Sequence, residues 1–389
     1  MRQAYQTILL VDHVAEAIDS IVDACNQLDL PPVKISTAFS SDYALELLEE
    51  HSFSLVIVGV SERLKLVDLQ HLATSQAPKP ILALLPDSEG NQVMAALRKG
   101  ASNVFLQSEI LDQGPAFSLA IKSLLNQAEL IEQNLHYREE LEKSLAELKA
   151  DQQAAHQIQK NMLPATDVQL GAVRAQYLLI PSLYLSGDFV DAVKVDDKLT
   201  LFYLADVSGH GASSALVTVL LKNMTNRLLR NYRRQSSFDI LSPKDVLHRI
   251  NVELLDTGLG KHLSMFIGLY NEADASLSYA VGGHHPMPIL HDRDGCRFLE
   301  GRGMPVGLFH EPLYDERTLQ LHAEFEITLF SDGIFEVLEE SNMEAKEQRL
   351  IDAVSGTKGG GPNSIRDALL PSTIDAAPDD IAIMTICRQ

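Results

Sequence analysis

Leu204-Ala205-Asp206-Val207-Ser208-Gly209-His210-Gly211 closes the apolar run Leu199–Val207 and leads into a helical pattern that begins near Ala212. An Asp at the end of a buried strand, beside backbone freed by glycines, can hold a metal or a phosphate. Taken alone, the same letters also describe a plain strand-to-helix turn with Ser208 or Asp206 as the helix cap. Three further acidic corners of this kind occur in the same half of the chain. Ser186-Gly187-Asp188-Phe189 follows one strand, with Asp191 close by. Ser331-Asp332-Gly333 follows the strand Glu326–Phe330, and Asp379-Asp380 precedes the final strand Ile381–Cys387. If the four converge, like charges raise their pKa values and strain the fold, and divalent cations relieve it. Hard oxygen ligands without a convincing His/Cys set point to magnesium or manganese rather than zinc.

Around these corners the pattern is mixed. Val173–Ile180, Val190–Val195, Leu199–Val207, Ser264–Asn271, Ser276–Val281 and Met287–His291 read as strands. Ala212–Tyr232 and Pro243–Asp256 read as helices. Strand hairpins followed by helices predict an α+β domain of two packed antiparallel sheets flanked by helices. Gly359-Gly360-Gly361-Pro362 reads as a flexible turn; without a preceding strand or a following Lys-Ser/Thr it is not a nucleotide loop.

The N-terminal part alternates differently. Strands Thr7–Val11, Val33–Phe39, Leu55–Val60, Pro80–Leu85 and Asn103–Leu106 alternate with helices Ala15–Leu28, Asp42–Glu50, Lys65–Ala73 and Asn91–Lys99. Apolar strands between helices predict a doubly wound α/β domain on a parallel sheet. From Ala116 to Met162 glycine and proline vanish, and Leu, Ala, Glu, Gln and Lys dominate, which predicts one long helix. Ala128, Ile131, Leu135, Leu141, Leu145, Leu148, Ala155 and Met162 recur at spacings of three and four, with a slip near Arg138 that resembles a stammer. A single apolar stripe needs a partner, which a parallel dimeric coiled coil or an antiparallel hairpin would supply. The chain therefore divides into residues 1–112, a linker helix over 113–162 and a third domain over 163–389.

Composition limits the function. The formal charge is −21, from 53 acidic and 32 basic residues. That surface argues against nucleic-acid and anionic-membrane partners. Cys25, Cys296 and Cys387 form no C-x-x-C pattern and read as free thiols. No apolar stretch reaches membrane-span length and the N-terminus lacks a signal-peptide shape, so a cytoplasmic protein is expected.

The first domain resembles the receiver domain of bacterial response regulators. The resemblance implies that Asp12 in Val11-Asp12-His13 is what remains of an acidic pair. Gly59 replaces the phosphoacceptor Asp, Leu85 the phosphoryl-sensing Ser/Thr, and Gln107 the fifth-strand Lys. A degenerate receiver that accepts no phosphoryl group is expected, retained as a surface for an unknown partner or for dimerisation.

The third domain is similar to the SpoIIE/RsbU-type branch of the metal-dependent Ser/Thr protein phosphatases (PPM family). The similarity rests on S-G-D-F, D-V-S-G-H-G, Gly303-x-Pro305-x-Gly307, S-D-G and the terminal D-D in order. Ile158-Gln159 with Met162-Leu163-Pro164 resembles that branch's entry segment. With the first domain, the chain resembles response-regulator phosphatases of the RssB/RsbU type, which act in bacterial partner-switching. The resemblance implies Asp188, Asp206, the Val207 carbonyl, Asp332 and Asp379 as ligands of two manganese or magnesium ions. Asp206 would bridge the ions, and Asp188 and Asp206 would carry the catalysis. It implies hydrolysis of a phosphoserine or phosphothreonine by activated water, with a phosphorylated anti-sigma-factor antagonist as substrate. Ser208 is then a helix cap, and His210, His284 and His285 are packing or turn residues rather than acids. Ser186, Val190 and Gly282 depart from that branch's usual residues without removing a ligand. The alternative is a non-catalytic adaptor that binds a sigma factor or antagonist.

Overall fold

The computed structural model describes residues 6–27, 33–74, 79–86, 90–112, 114–209, 211–370 and 377–388. His210 and the last residue of the first expected helix, Leu28, fall outside them. The chain separates into two compact units, Met1–Ala146 and Glu147–Gln389.

In the first unit, β1 (Gln6–Val11), β2 (Val33–Ala38), β3 (Leu55–Gly59), β4 (Ile81–Leu85) and β5 (Asn103–Leu106) form one parallel sheet in the order β2-β1-β3-β4-β5. Its helices are α1 (Ala15–Gln27), α2 (Ser41–Glu50), α3 (Leu66–Thr74), α4 (Gly90–Arg98) and α5 (Glu109–Asp112). β3 and β4 are buried at every residue, as strands covered on both faces must be. Ser40 starts α2 by accepting the Tyr43 N–H on its hydroxyl.

The structure also explains the residue at the tip of β3. A Cβ added to Gly59 would lie 1.9 Å from Asp12 Oδ2. The Asp12 carboxyl, itself buried, fills the space that a side chain at 59 would need. Its Oδ1 accepts the Val14 N–H at 3.0 Å. Leu85 is fully buried at the end of β4, and its carbonyl accepts the Gln107 N–H at 2.8 Å.

α6 runs unbroken from Gly114 to Met162. Near its start Phe117, Ile121, Leu124 and Leu125 bury against Ile8, Leu10 and Ile57 of the first sheet. Along its middle Leu130, Leu135, Leu141, Leu145 and Leu148 are exposed. Met162 and Leu163 pack on the core of the second unit.

The second unit continues with β6 (Asp167–Leu170), β7 (Val173–Ile180), β8 (Asp188–Lys194), β9 (Leu199–Val207), α7 (Ala212–Arg233), α8 (Pro243–Asp256), β10 (Leu263–Asn271) and β11 (Ser276–Gly282). β12 (Ile289–Asp292), β13 (Gly295–Phe298), β14 (Glu316–Gln320), β15 (Phe325–Phe330), α9 (Ile334–Val337), α10 (Met343–Gly356), α11 (Gly361–Leu369) and β16 (Ile381–Arg388) complete it. One antiparallel sheet has the order β14-β11-β10-β9-β8 and the other β13-β12-β15-β16-β7-β6. Strand alternation sets the layers. In β9, Leu201, Tyr203 and Ala205 face α7 and α8, where Leu221, Met224, Leu247 and Ile250 meet them. Phe202 and Leu204 face the other sheet and join Leu329, Met384 and Ile386. α10 and α11 cover that sheet's outer side through Leu350, Val354 and Ile365.

Two local readings change. The first acidic corner heads β8 rather than preceding it, because Asp188 already pairs with β9. Gly361 and Pro362 are not a free turn; they open α11, where a proline fits since the first turn lacks N–H partners anyway.

Candidate metal centre

The strand registers bring the acids together. Asp188 lies opposite Asp206 across β8 and β9. By alternation Asp206 continues the face of Phe202 and Leu204, toward the other sheet. There Asp332 follows β15, and Asp379-Asp380 leads into β16, paired with β15. Glycines permit the crossings. A Cβ at Gly333 would stand 2.1 Å from the Asp380 carbonyl, and one at Gly187 would stand 2.9 Å from the Val207 carbonyl. Gly209 and Gly211, at φ 74° and 87°, carry the chain away from β9 in the left-handed region that glycine tolerates.

The electrostatics follow from this convergence. Asp188 is buried, and among the described residues neither carboxyl oxygen has a well-formed hydrogen bond, the Ser331 side chain being the one donor near enough to favour its charged form. Burial first, and then the Asp206 charge, push it well above the ordinary carboxyl value. Asp206 is pushed up to about 7 by burial, then by Asp332, Asp379 and Asp380. Asp332 rises through burial and Asp379. A buried carboxylate left without any donor is costly. A set of converging oxygens with that deficit suits a hard divalent cation. Asp188, Asp206, Asp332 and Asp379, with the Val207 carbonyl beside Gly187, supply the hard oxygen donors such a group needs and act on one another electrostatically, although no three of these carboxylates bring their oxygens within 4.8 Å of one another as Asp292, Asp294 and His322 do.

Asp380 does something else. Its Oδ1 accepts the Ser182 N–H at 2.7 Å and the Ser182 hydroxyl at 2.9 Å, and its Oδ2 accepts the Gly187 N–H at 2.6 Å. It fixes the first corner, while Asp379 accepts the Asp380 N–H at 2.8 Å.

Several neighbours stand apart from the cluster. Asp191 points to the helical side, where Lys222 Nζ reaches both its oxygens at 2.8 Å. Ser208 does not cap α7: Gly211 occupies the cap without a side-chain bond. The Ser208 hydroxyl instead accepts the His262 N–H at 3.3 Å. His284 is buried, both ring nitrogens are unpartnered among the described residues, and burial, then His285, hold its pKa down to about 3. His285 is exposed and packs on Phe335 at 5.2 Å between ring centroids. Gly303–Gly307 anchors beside the site, since Val306 and Leu263 exchange backbone bonds at 2.9 Å and Leu263 pairs with Val207. Lys261, to which sequence reading gave no role, donates to the Ser208 carbonyl at 2.7 Å. Its signal was only a lysine between two apolar segments. Asp292, Asp294 and His322 form a separate group at the other end of β15, with Arg297 already paired to Asp292 at 3.1 Å.

Two antiparallel sheets covered by helices, with the four acidic corners at their strand ends, make up this unit. The SiaA-PP2C domain of Pseudomonas aeruginosa has this fold: it superposes with a TM-score of 0.51 at 16% identity, over 62% of this chain and 97% of that one. Residues 196–389 match the family "Stage II sporulation protein E (SpoIIE)". The chain is 25% identical over 250 residues to "Phosphoserine phosphatase RsbU" of Bacillus subtilis, covering 62% of this chain and 71% of that protein. It is also 25% identical over 193 residues to "Phosphoserine phosphatase RsbP" of the same organism, where it covers 48% of this chain but only 46% of the relative.

Proposed function

We propose that the chain is a metal-dependent Ser/Thr protein phosphatase acting on a phosphoserine regulatory protein in partner-switching signalling, with an anti-sigma-factor antagonist as substrate. One observation carries the catalytic reading: Asp188 is buried beside Asp206, and among the described residues neither of its oxygens has a well-formed hydrogen bond. Nothing in packing requires such a pair, whereas cation binding does. Asp188, Asp206, Asp332, Asp379 and the Val207 carbonyl would hold two manganese or magnesium ions. Bound there, the ions supply an acidified water and offset charge on the phosphoryl oxygens. The chain's own residues do the rest. Asp380 and the glycines hold the carboxylates in place, and His284, neutral because it is buried, adds no competing charge. The Ser208 hydroxyl accepts the His262 N–H, and the attacking group in this reading is water rather than serine. The substrate rests on the likeness to RsbU and RsbP, each named a phosphoserine phosphatase.

The organisation proposed is a receiver-like domain over 1–112, a linker over 113–162 and a phosphatase domain over 163–389. The exposed leucines of α6 support a parallel homodimer through the linker. The filled pocket at Gly59 supports a receiver-like domain that binds a partner instead of accepting phosphate. Among the described residues no helix is long and apolar enough to cross a membrane, and we place the protein in the cytoplasm.

The test is hydrolysis of an aryl phosphate by the full chain, with manganese or with chelator, beside Asp206→Ala. Turnover that needs manganese and disappears in the variant supports the reading. Partner control in cells that survives Asp206→Ala would instead establish the adaptor.

A further inference from the structure

Gln159 lies in the last turn of α6 and is 5% exposed, while Ile158 beside it is 56% exposed. A glutamine so deeply buried has to find partners for its amide. Its Nε2 donates to the Ser186 carbonyl at 2.7 Å and to Thr218 Oγ1 at 3.0 Å. Its Oε1 accepts the Ser186 N–H at 3.3 Å. The orientation of the amide follows from Thr218. That hydroxyl donates to the Ala215 carbonyl at 2.7 Å, so toward Gln159 it accepts. The Ser186 hydroxyl in turn accepts the Asp188 N–H at 3.0 Å. Three successive residues of the corner are thus each held: Ser186 by Gln159, Gly187 by Asp380, and Asp188 by Ser186.

We infer that Gln159 is a positioning residue for the metal centre: its amide clamps both backbone groups of Ser186 and so aims the Asp188 carboxylate at the cation. This rests on the metal-centre reading above. Among the described residues neither Asp188 oxygen has a well-formed hydrogen bond and only Ser331 is near enough to favour its charge, so its direction depends chiefly on the backbone that carries it. Asp380 fixes one point of that backbone, and one point leaves the peptide free to pivot. Gln159 supplies the second point. It does so from an element outside both sheets, tied down by Met162 and Leu163 in the core under α7. The residue touches neither cation nor substrate, and its effect passes wholly through Ser186.

The test uses the full chain and manganese alone as probe. Manganese affinity is measured by calorimetry for the wild type, Gln159→Met and Thr218→Val, with thermal unfolding in chelator alongside. Gln157→Met, on an exposed position of the same helix end, is the control. Loss of such an outer-shell partner is expected to weaken manganese binding about 10–100-fold. Gln159→Met should show this, and Thr218→Val, which leaves the Ser186 bonds in place, should show a smaller loss in the same direction. The manganese concentration for half-maximal aryl-phosphate turnover should rise in parallel, while kcat at saturating manganese recovers toward wild type. Unchanged manganese affinity in a folded Gln159→Met overturns the inference, as does a lowered melting temperature with unchanged affinity. If Gln159→Met does not fold, Thr218→Val decides by the same criterion. A wild type that binds no manganese sinks the metal-centre reading itself, which is a different result.

Discussion

Replacing Asp206 by Asn should make the metal-free protein more stable while removing its response to metal. Burial and three neighbouring acids raise Asp206 from 3.8 to about 7. At about 1.36 kcal/mol for each pH unit, that rise corresponds to about 4 kcal/mol of ionisation cost at pH 8. The sign follows from proton binding. The folded state holds this proton more tightly than the unfolded chain, so its stabilising contribution is fully present below pH 3.8. It is lost as pH rises through about 7. Asn has the same shape, carries no charge and can donate to Asp332. Asp206→Asn should therefore gain up to about 4 kcal/mol over wild type at pH 8 in chelator, and less than half of that at pH 5. The chain has no tryptophan, so urea unfolding is best followed by hydrogen exchange on peptides of β9 and β10. Adding manganese at a hundred times its Kd should return about 2.7 kcal/mol to wild type and nothing to the variant. A variant no more stable than wild type at pH 8 would refute the reasoning, because the carboxylates would then not repel. A gain equal at both pH values would refute it too, since that would be a packing effect.

Three other outcomes are expected. Lys222→Met leaves the fully buried Asp191 charge unpaired and should cost about 3–5 kcal/mol of stability in urea unfolding, most of it recovered in Asp191→Asn/Lys222→Met. Gly59→Asp must displace the Asp12 carboxyl and should destabilise the receiver-like unit by about 1–3 kcal/mol, with no labelling by an acyl-phosphate donor. Glutamate at Leu141, Leu145 and Leu148 together should shift the full chain to monomer in light scattering, while secondary structure by circular dichroism stays; a dimer that persists places the contact elsewhere.

Strands and acids were legible in the sequence because both are written locally. β9 alternates between two buried faces, and Asp206 keeps the parity of Phe202 and Leu204, so its letter already says which layer it joins. The parallel sheet was legible for a similar reason, since β3 and β4 are continuous apolar runs. What could not be read is partnership across distance. Asp380 reaches Gly187 over 193 residues, and Gln159 reaches Ser186 over 27 and Thr218 over 59. No local pattern marks either bond, and Gln159 was seen only as part of an entry segment. Ser208 misled for the opposite reason. A Ser before a helix is a strong capping signal, but Gly209 and Gly211 turn the backbone so that its hydroxyl meets His262 instead.

The two units of the chain treat charge at strand ends in opposite ways, and the contrast bears on function. In the first unit Asp12 follows β1 at the sheet's carboxyl edge. Its carboxyl fills the space above Gly59 and accepts a backbone N–H, and Leu85 closes the edge with apolar surface. Each of those choices lowers the cost of burial. The same options were open at the edge of the second unit. An Asn at 188 or 206 would remove the repulsion that raises both groups. The chain instead keeps four carboxylates there and supports them with two buried holders, Asp380 and Gln159, which bond the backbone of that corner and tie it to Ser182 and Thr218. A fold under no demand for cation binding has no reason to keep repelling charges and also rigidify them. Repelling charges held in place by hydrogen bonds are what the proposed divalent-cation site would need, and they support that proposal.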